Sequence, residues 1–171
     1  GNAVYVNELA YDMGFRNGDQ ILMFDDYVPE NFGMLQADLA RQSVKKATVL
    51  RNGDTLNIYI DQKWSGEVLQ NPGMFDLAVP FIVAEVSETS PNKALDIQAG
   101  DRIVNIAGTE TEFLQDARPI LMEHAGDTVM TTLTRGTDSL ALTVQVDTAG
   151  TIGVFLQRPA IKTKEYTFIS A

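Results

Sequence analysis

The sequence contains no cysteine, one histidine (His124), one tryptophan (Trp64) and six prolines among 171 residues. Without cysteine there is no disulfide and no thiolate chemistry, and the redox compartment stays open. A single histidine excludes a His-Glu-x-x-His metal motif and leaves no second histidine for a triad. His124, near the end of a helix-like stretch, is expected to be a solvent-facing cap residue. Long apolar runs are missing too, none approaching the roughly 18 residues of a membrane span. Basic residues are the scarcer charge, 13 Lys and Arg against 23 Asp and Glu, and the formal charge is −10. That balance argues against a nucleic-acid partner, whose phosphates need a basic surface, and against docking on an anionic membrane face. Gly1-Asn2-Ala3 opens without a signal-peptide pattern and reads as the cut end of a longer chain.

What is present is ordinary in amount, 44% hydrophobic and 21% charged residues, and unusual in arrangement. The stretch Gly14-Phe15-Arg16-Asn17-Gly18-Asp19-Gln20-Ile21-Leu22-Met23-Phe24 has a second copy in Asp96-Ile97-Gln98-Ala99-Gly100-Asp101-Arg102-Ile103-Val104-Asn105-Ile106, with Gly18-Asp19 lying over Gly100-Asp101. In each copy an apolar residue (Phe15, Ile97) anchors a loop and a glycine takes a backbone position closed to other side chains. The aspartate is expected to accept hydrogen bonds from the amides of its own turn, and a short apolar strand follows.

The same events recur after each copy. A helix-like stretch covers Phe32 to Gln42 in one half and Phe113 to His124 in the other, with Phe32, Leu35, Leu39 and Ala40, or Phe113, Ala117, Ile120 and Leu121, on one side. Pro119 is expected to bend or delay the second helix. A strand then ends in an Arg-containing turn, Ala47 to Asp54 or Thr131 to Asp138, and a closing strand follows at Thr55 to Ile60 or Ser139 to Val146. Asn52-Gly53 is a hairpin signal, since its turn requires positive φ at both positions. A duplicated domain accounts for this order, each half having roughly 80 residues, near the lower size for an independent core. The first half appears shorter at its start than the second, as if its leading strand were cut off or supplied by another segment. Asn71-Pro72-Gly73 is a turn near the expected boundary, and Trp64 is expected to seal the halves against each other. Past a short apolar run, Thr151 to Leu156, the tail carries Lys162 to Lys164 and ends on Tyr166 to Ala171.

The search for chemistry returns little. Gly14 to Asp19 lacks the Gly-Lys-Ser/Thr of a phosphate loop, and Asp25-Asp26 lack further oxygen ligands at calcium-loop spacing and read as turn residues. Nothing points to Ser-Lys catalysis. What remains is binding by strand addition, in which an extended peptide joins an exposed sheet edge beside a helix. For the second half the expected edge is Leu77 to Ala84 and the expected helix Phe113 to His124.

The segment Ser90-Pro91-Asn92-Lys93-Ala94-Leu95-Asp96-Ile97-Gln98-Ala99-Gly100-Asp101-Arg102-Ile103-Val104-Asn105-Ile106 resembles the bacterial PDZ motif, and Leu9 through Phe24 is a looser copy. Two such domains in tandem, with a Trp64-containing connector and Ile152-Gly153-Val154 after the second, resemble the PDZ pair of RseP-type site-two proteases, zinc metalloproteases of the bacterial inner membrane. The resemblance implies a mostly β fold with short helices (α+β), built as two tandem circularly permuted PDZ domains. Residues 1–66 would be the first domain, 67–79 a linker with the leading strand of the second, 80–158 the second domain, and 159–171 a tail towards a membrane segment.

By the same resemblance the chain is a non-catalytic periplasmic filter on substrate access in regulated intramembrane proteolysis, on the periplasmic face of the inner membrane. No cofactor is expected in this chain; the zinc would lie in the parent protease. The implied partner is the extracytoplasmic part of a membrane-spanning substrate such as an anti-sigma factor, the membrane is met only through the parent chain, and the fragment itself is expected to be monomeric. The implied second-domain groove comprises Asp76, Leu77, Ala78, Val79 and Ile82 from the strand side with Ala117, Ile120 and Leu121 from the helix side. The family's carboxylate-binding loop reads apolar-Gly-apolar, whereas Phe75-Asp76-Leu77-Ala78-Val79-Pro80 has Ala78 for the glycine and a like charge in Asp76, which favours steric gating or weak contacts over tight capture of a free C-terminus. The alternative is a peptide-binding pair from a soluble HtrA-like serine protease or a periplasmic scaffold.

Overall fold

The Gly-Asp motif works as a buried ion pair, once in each half. The computed structural model describes residues 2–41, 43–159 and 168–170 and divides the chain into two units, Gly1–Ala78 and Val79–Ala171.

In unit 1 the elements are β1 (Val4–Val6), α1 (Glu8–Met13), β2 (Gln20–Phe24), α2 (Leu35–Arg41), β3 (Lys46–Arg51), β4 (Asp54–Tyr59), α3 (Ser65–Gln70) and β5 (Phe75–Leu77). Helix α1 starts where the Asn7 side chain accepts from the Ala10 amide and stops at Gly14, whose φ of 116° is open to glycine. Strands β2, β3 and β4 form one antiparallel sheet, and Asn52 and Gly53 take φ of 50° and 84° in the β3–β4 turn, the positive pair that Asn-Gly predicts. Strand β5 returns to pair antiparallel with β1, Val4 opposite Leu77 and Val6 opposite Phe75. The core holds Val4, Phe15, Phe24, Ala47, Val49 and Met74.

Unit 2 repeats this plan with β6 (Val83–Val86), β7 (Arg102–Ile106), β8 (Thr109–Glu110), α4 (Leu114–Glu123), β9 (Thr128–Arg135), β10 (Asp138–Gln145), β11 (Val154–Gln157) and β12 (Phe168–Ser170). Main-chain bonds fix the equivalence: Val4 donates to Asp19 O and accepts from Gly18, as Val83 donates to Asp101 O and accepts from Gly100. Strand β11 pairs antiparallel with β6, Leu156 opposite Val83, as Leu77 lies opposite Val4.

These pairings correct two expectations. The first half has its leading strand, β1. The segment 75–78 belongs to unit 1 and closes its sheet, so the boundary falls after Ala78 rather than near Asn71-Pro72-Gly73, and 67–79 is not the leading strand of the second unit. Trp64 packs against the core of its own unit, bordering a pocket of about 200 Å³ with Leu39, Val44, Ile60 and Val68. Helix α4 also runs unbroken through Pro119. The Asp116 carboxylate fixes its first turn by accepting the Phe113 amide at 2.9 Å, and Leu114, Ala117 and Leu121 anchor it in the core. As expected, Asp25 is a turn residue, its carboxylate accepting the amides of Lys45 and Lys46. The tail at Lys162–Lys164 lies outside the described residues.

Asp19 and Asp101 are both fully buried. Asp19 accepts the Arg16 amide at 2.8 Å, and Asp101 the Gln98 amide at 2.8 Å, as expected of the turn. Each carboxylate also receives a two-pronged guanidinium from the strand-end arginine: Arg51 Nε and Nη2 reach Asp19 at 2.8 Å, and Arg135 Nε and Nη2 reach Asp101 at 2.8 and 2.9 Å. Such parallel charge-assisted bonds are the strongest geometry of this pair. Removing one partner strands a buried charge. Arg51→Met is therefore expected to lower the stability of unit 1 by about 3 kcal/mol, measured by denaturant unfolding followed through Trp64 fluorescence.

The Arg135 guanidinium holds the Asp101 carboxyl below its ordinary range. A depressed folded value means that this contribution is complete above the unfolded value of about 3.9 and is lost as pH falls through the folded one. Amide exchange of unit 2 is expected to show stability falling once pH drops below that unfolded value, and Asp101→Asn to weaken unit 2 at neutral pH and flatten the acid dependence.

Candidate peptide-binding edge

Strand β11 follows the loop Thr151-Ile152-Gly153, and unit 2 holds that loop from behind. Asn92, buried to 1% exposure, donates from Nδ2 to Gln145 O and Ile152 O at 2.8 and 2.9 Å and accepts the Gln145 amide at 2.8 Å. Ser90 Oγ donates to the same Ile152 carbonyl at 3.2 Å, and Gly153 O accepts the Ser87 amide at 2.8 Å. Gly153 has φ of 73°, and a Cβ there would lie 2.5 Å from Ser90 Oγ, so this position requires glycine. On the other flank the Asp147 carboxylate accepts the Thr151 amide and, foremost, its hydroxyl, which holds that carboxyl below its ordinary range. The carbonyls of Ile152 and Gly153 are thus consumed inside the unit and the loop is rigid.

Beyond the loop, β11 and α4 feed one buried cluster, with Val154 and Leu156 from the strand and Leu114, Ala117 and Leu121 from the helix. Ile120 is partly buried against it. Along β11, Gln157 donates its amide to Ile82 O on the β6 side. Successive residues of a strand turn their main-chain groups to opposite sides, so Leu156 presents its amide and carbonyl to the outer edge. That edge takes a strand: β12 pairs antiparallel with it, Phe155 opposite Ser170, Leu156 opposite Ile169 and Gln157 opposite Phe168.

The expected groove residues divide on this geometry. Ala117, Ile120 and Leu121 lie on α4 as expected. Asp76, Leu77 and Ala78 lie in unit 1, the first two within β5. Val79 and Ile82 are in unit 2 but offer no free edge, because their main chain is already engaged: Val79 O accepts the Leu114 amide at 2.7 Å and Ile82 O the Gln157 amide at 3.0 Å. An apolar-Gly-apolar sequence of the kind sought at 75–80 occurs at Ile152-Gly153-Val154, where Val154 begins β11. The expected order placed such a sequence ahead of the second domain, whereas here it leads into β11, late in the unit.

Unit 1 treats the corresponding edge differently. The residue equivalent to Gly153 is Met74, fully buried, and its amide donates to Gln36 Oε1 at 3.1 Å. Gln36 Nε2 in turn holds α3 and its exit turn through Val68 O at 2.9 Å and Asn71 O at 2.6 Å. At the place in α2 equivalent to Ala117 of α4, unit 1 carries the buried Asp38, whose Oδ1 receives Arg41 Nη2 at 2.7 Å. Gln36 ties the start of β5 within unit 1. Among the described residues no group of three or more His, Asp or Glu side chains could hold a metal ion, and His124 is the residue that ends α4.

No family profile matches the chain, and no curated protein matches it. Among solved structures it is similar to the PDZ domain of the SdrC-like protein of Listeria monocytogenes, at 25% identity and a TM-score of 0.38, over 44% of this chain and 84% of that one. It is likewise similar to the PDZ domain of the SdrC-like protein of Listeria innocua, at 24% identity and a TM-score of 0.40, over 48% of this chain and 99% of that one. Fold class is plain from the chain itself, mostly β with short helices.

Asn92→Ala is expected to leave the amide and carbonyl of Gln145 without their partner and Ile152 O with Ser90 Oγ alone, and to cost about 3 kcal/mol, since stranding buried polar groups costs their full desolvation. The denaturant midpoint of unit 2 measures it. Asn92→Asp, which keeps the acceptor but loses both donors and turns a buried carboxylate towards two carbonyls, should cost at least as much as Asn92→Ala.

Proposed function

We propose that this chain is a non-catalytic pair of interaction domains of PDZ type, and that unit 2 binds an extended segment of a protein partner by strand addition to β11. The observation that carries this reading is the outer edge of β11 receiving β12 in antiparallel register beside the apolar side of α4. Main-chain bonds from Leu156 supply affinity without regard to sequence, and the apolar surface between β11 and Ile120 supplies the choice. The loop locked by Asn92 and Ser90 keeps that edge in place before any partner arrives, which lowers the ordering cost of binding.

The finer reading follows the resemblance of the tandem arrangement. The pair would stand on the periplasmic face of an inner membrane as part of a site-two zinc protease, admitting extended tails of membrane-spanning substrates, anti-sigma factors among them, and barring folded domains. An extended tail can add to a sheet edge, whereas a folded domain has no free strand to offer, so the geometry proposed for unit 2 is selective in that sense. Hydrophobic spans on both sides of these residues in the native reading frame, with His-Glu-x-x-His in the upstream one, would support the protease assignment; a trypsin-like domain upstream would replace it with the HtrA-like alternative.

Peptide display against the full chain tests the binding itself. Selected peptides are expected to carry an apolar residue to meet the α4 side, and Ile120→Asp to weaken them at least about tenfold, the usual scale for losing one buried apolar contact. Asp76→Lys in unit 1 should leave them unchanged. Selection unaffected by Ile120→Asp would remove β11 and α4 as the site.

A further inference from the structure

The segment that covers the proposed edge belongs to the chain itself. We propose that Phe168–Ser170 is an intramolecular ligand of unit 2, which competes with partner peptides for β11 and so sets the affinity at which a partner is admitted. This rests on the reading of β11 as the peptide-binding edge.

Three observations carry it. The pairing has the form of an added ligand: β12 contacts β11 as an antiparallel outer strand, and β11 is the only strand to which it is bonded among the described residues. Its side chains alternate as a bound peptide's would, Ile169 partly buried on the cluster that includes Leu114, Ala117 and Leu121, and Ser170 exposed. The fold does not need it, because in unit 1 the equivalent sheet has two strands, β1 and β5, with no added strand among the described residues, and its core closes all the same. A strand required for folding should recur in both copies of a duplicated domain. This one occurs at one edge only, the one whose loop carries the apolar-Gly-apolar sequence.

Three paired residues and one partly buried isoleucine make a weak contact. Tethering makes it effective, since a short linker presents its ligand at a local concentration on the millimolar scale. A tail with an intrinsic dissociation constant near 0.1 mM would then occupy the edge most of the time and weaken an outside peptide about tenfold. A partner would have to outcompete the tail, so weak and incidental segments would be turned away.

The test uses an acetylated and amidated peptide of the chain's own residues 164–171, titrated into the full chain and into the full-length Ile169→Asp and Ile169→Pro variants. The first variant removes the apolar contact, and the second removes the amide facing Leu156. Calorimetry is expected to show the peptide binding either variant about tenfold more tightly than the unsubstituted chain. Exchange of the Leu156 amide should be slow in the unsubstituted chain, fast in the variants, and slow again once peptide is added. The same peptide with aspartate at the position of Ile169 should bind none of them. Equal affinity for all three proteins would overturn the competition while leaving the edge as a binding site. Binding to none of them would overturn both readings. Because each unit keeps its own core in these variants, circular dichroism that matches the unsubstituted chain separates lost binding from lost folding.

Discussion

Each unit depends on the return of a late strand to its first. Strand β5 closes on β1 and β11 on β6, so the chain ends of each unit meet across almost its whole length. Closing so long a loop carries an entropic cost that grows only slowly with length, but it must be recovered by contacts made at the end of the chain segment. Val4 and Met74 in one unit, and Val83, Val154 and Leu156 in the other, are fully or almost fully buried at that closure. The same pairing decides the boundary, because residues that look like a linker in sequence are the closing strand of the first unit. It also bears on the function proposed for the second, because the strand that closes the unit is the one along whose outer edge β12 lies.

The closure would be loose without the two polar devices that hold the loops. In both units a fully buried carboxylate ties its own turn to the arginine at the end of the neighbouring strand, Asp19 to Arg51 and Asp101 to Arg135. Arg51 also donates to Gly14 O, and Arg135 to Asp96 O, at equivalent places. These pairs specify register, since a guanidinium displaced by one residue along its strand would point to the opposite face. In unit 2 alone Asn92 adds a third tie, from the turn before Gly100 to the loop before β11. The corresponding part of unit 1 is held by Gln36 and α3. Two copies of one plan have therefore diverged at the edge: in unit 1 the start of β5 is tied to Gln36, and in unit 2 the outer edge of β11 carries β12.

Much of this was legible in local patterns. Duplication, both helices, the Asn52-Gly53 hairpin and the Gly-Asp turns follow from spacings that backbone stereochemistry reads directly. Ala117, Ile120 and Leu121 could be placed on one helical side for the same reason. What escaped was every feature that depends on which distant segment comes back. Phe75-Asp76-Leu77 and Val154-Phe155-Leu156 look alike as short apolar runs, and neither states which strand it will join. Trp64 borders its own core because α3 folds back over α2, and Pro119 is carried inside a helix because burial of Leu114, Ala117 and Leu121 outweighs one missing amide.

By itself, then, the sequence determined the inventory: two like domains, mostly β with short helices, each with its Gly-Asp turn and helix. Those properties are local, being set by residue type, periodicity and turn stereochemistry within a few positions. The tertiary structure alone decided where the edge is, which loop shapes it, and that the chain's own β12 lies along it. Strand pairing is made between main-chain groups that every residue carries, so the sequence labels no strand with its partner, and only the packing of the whole unit selects one.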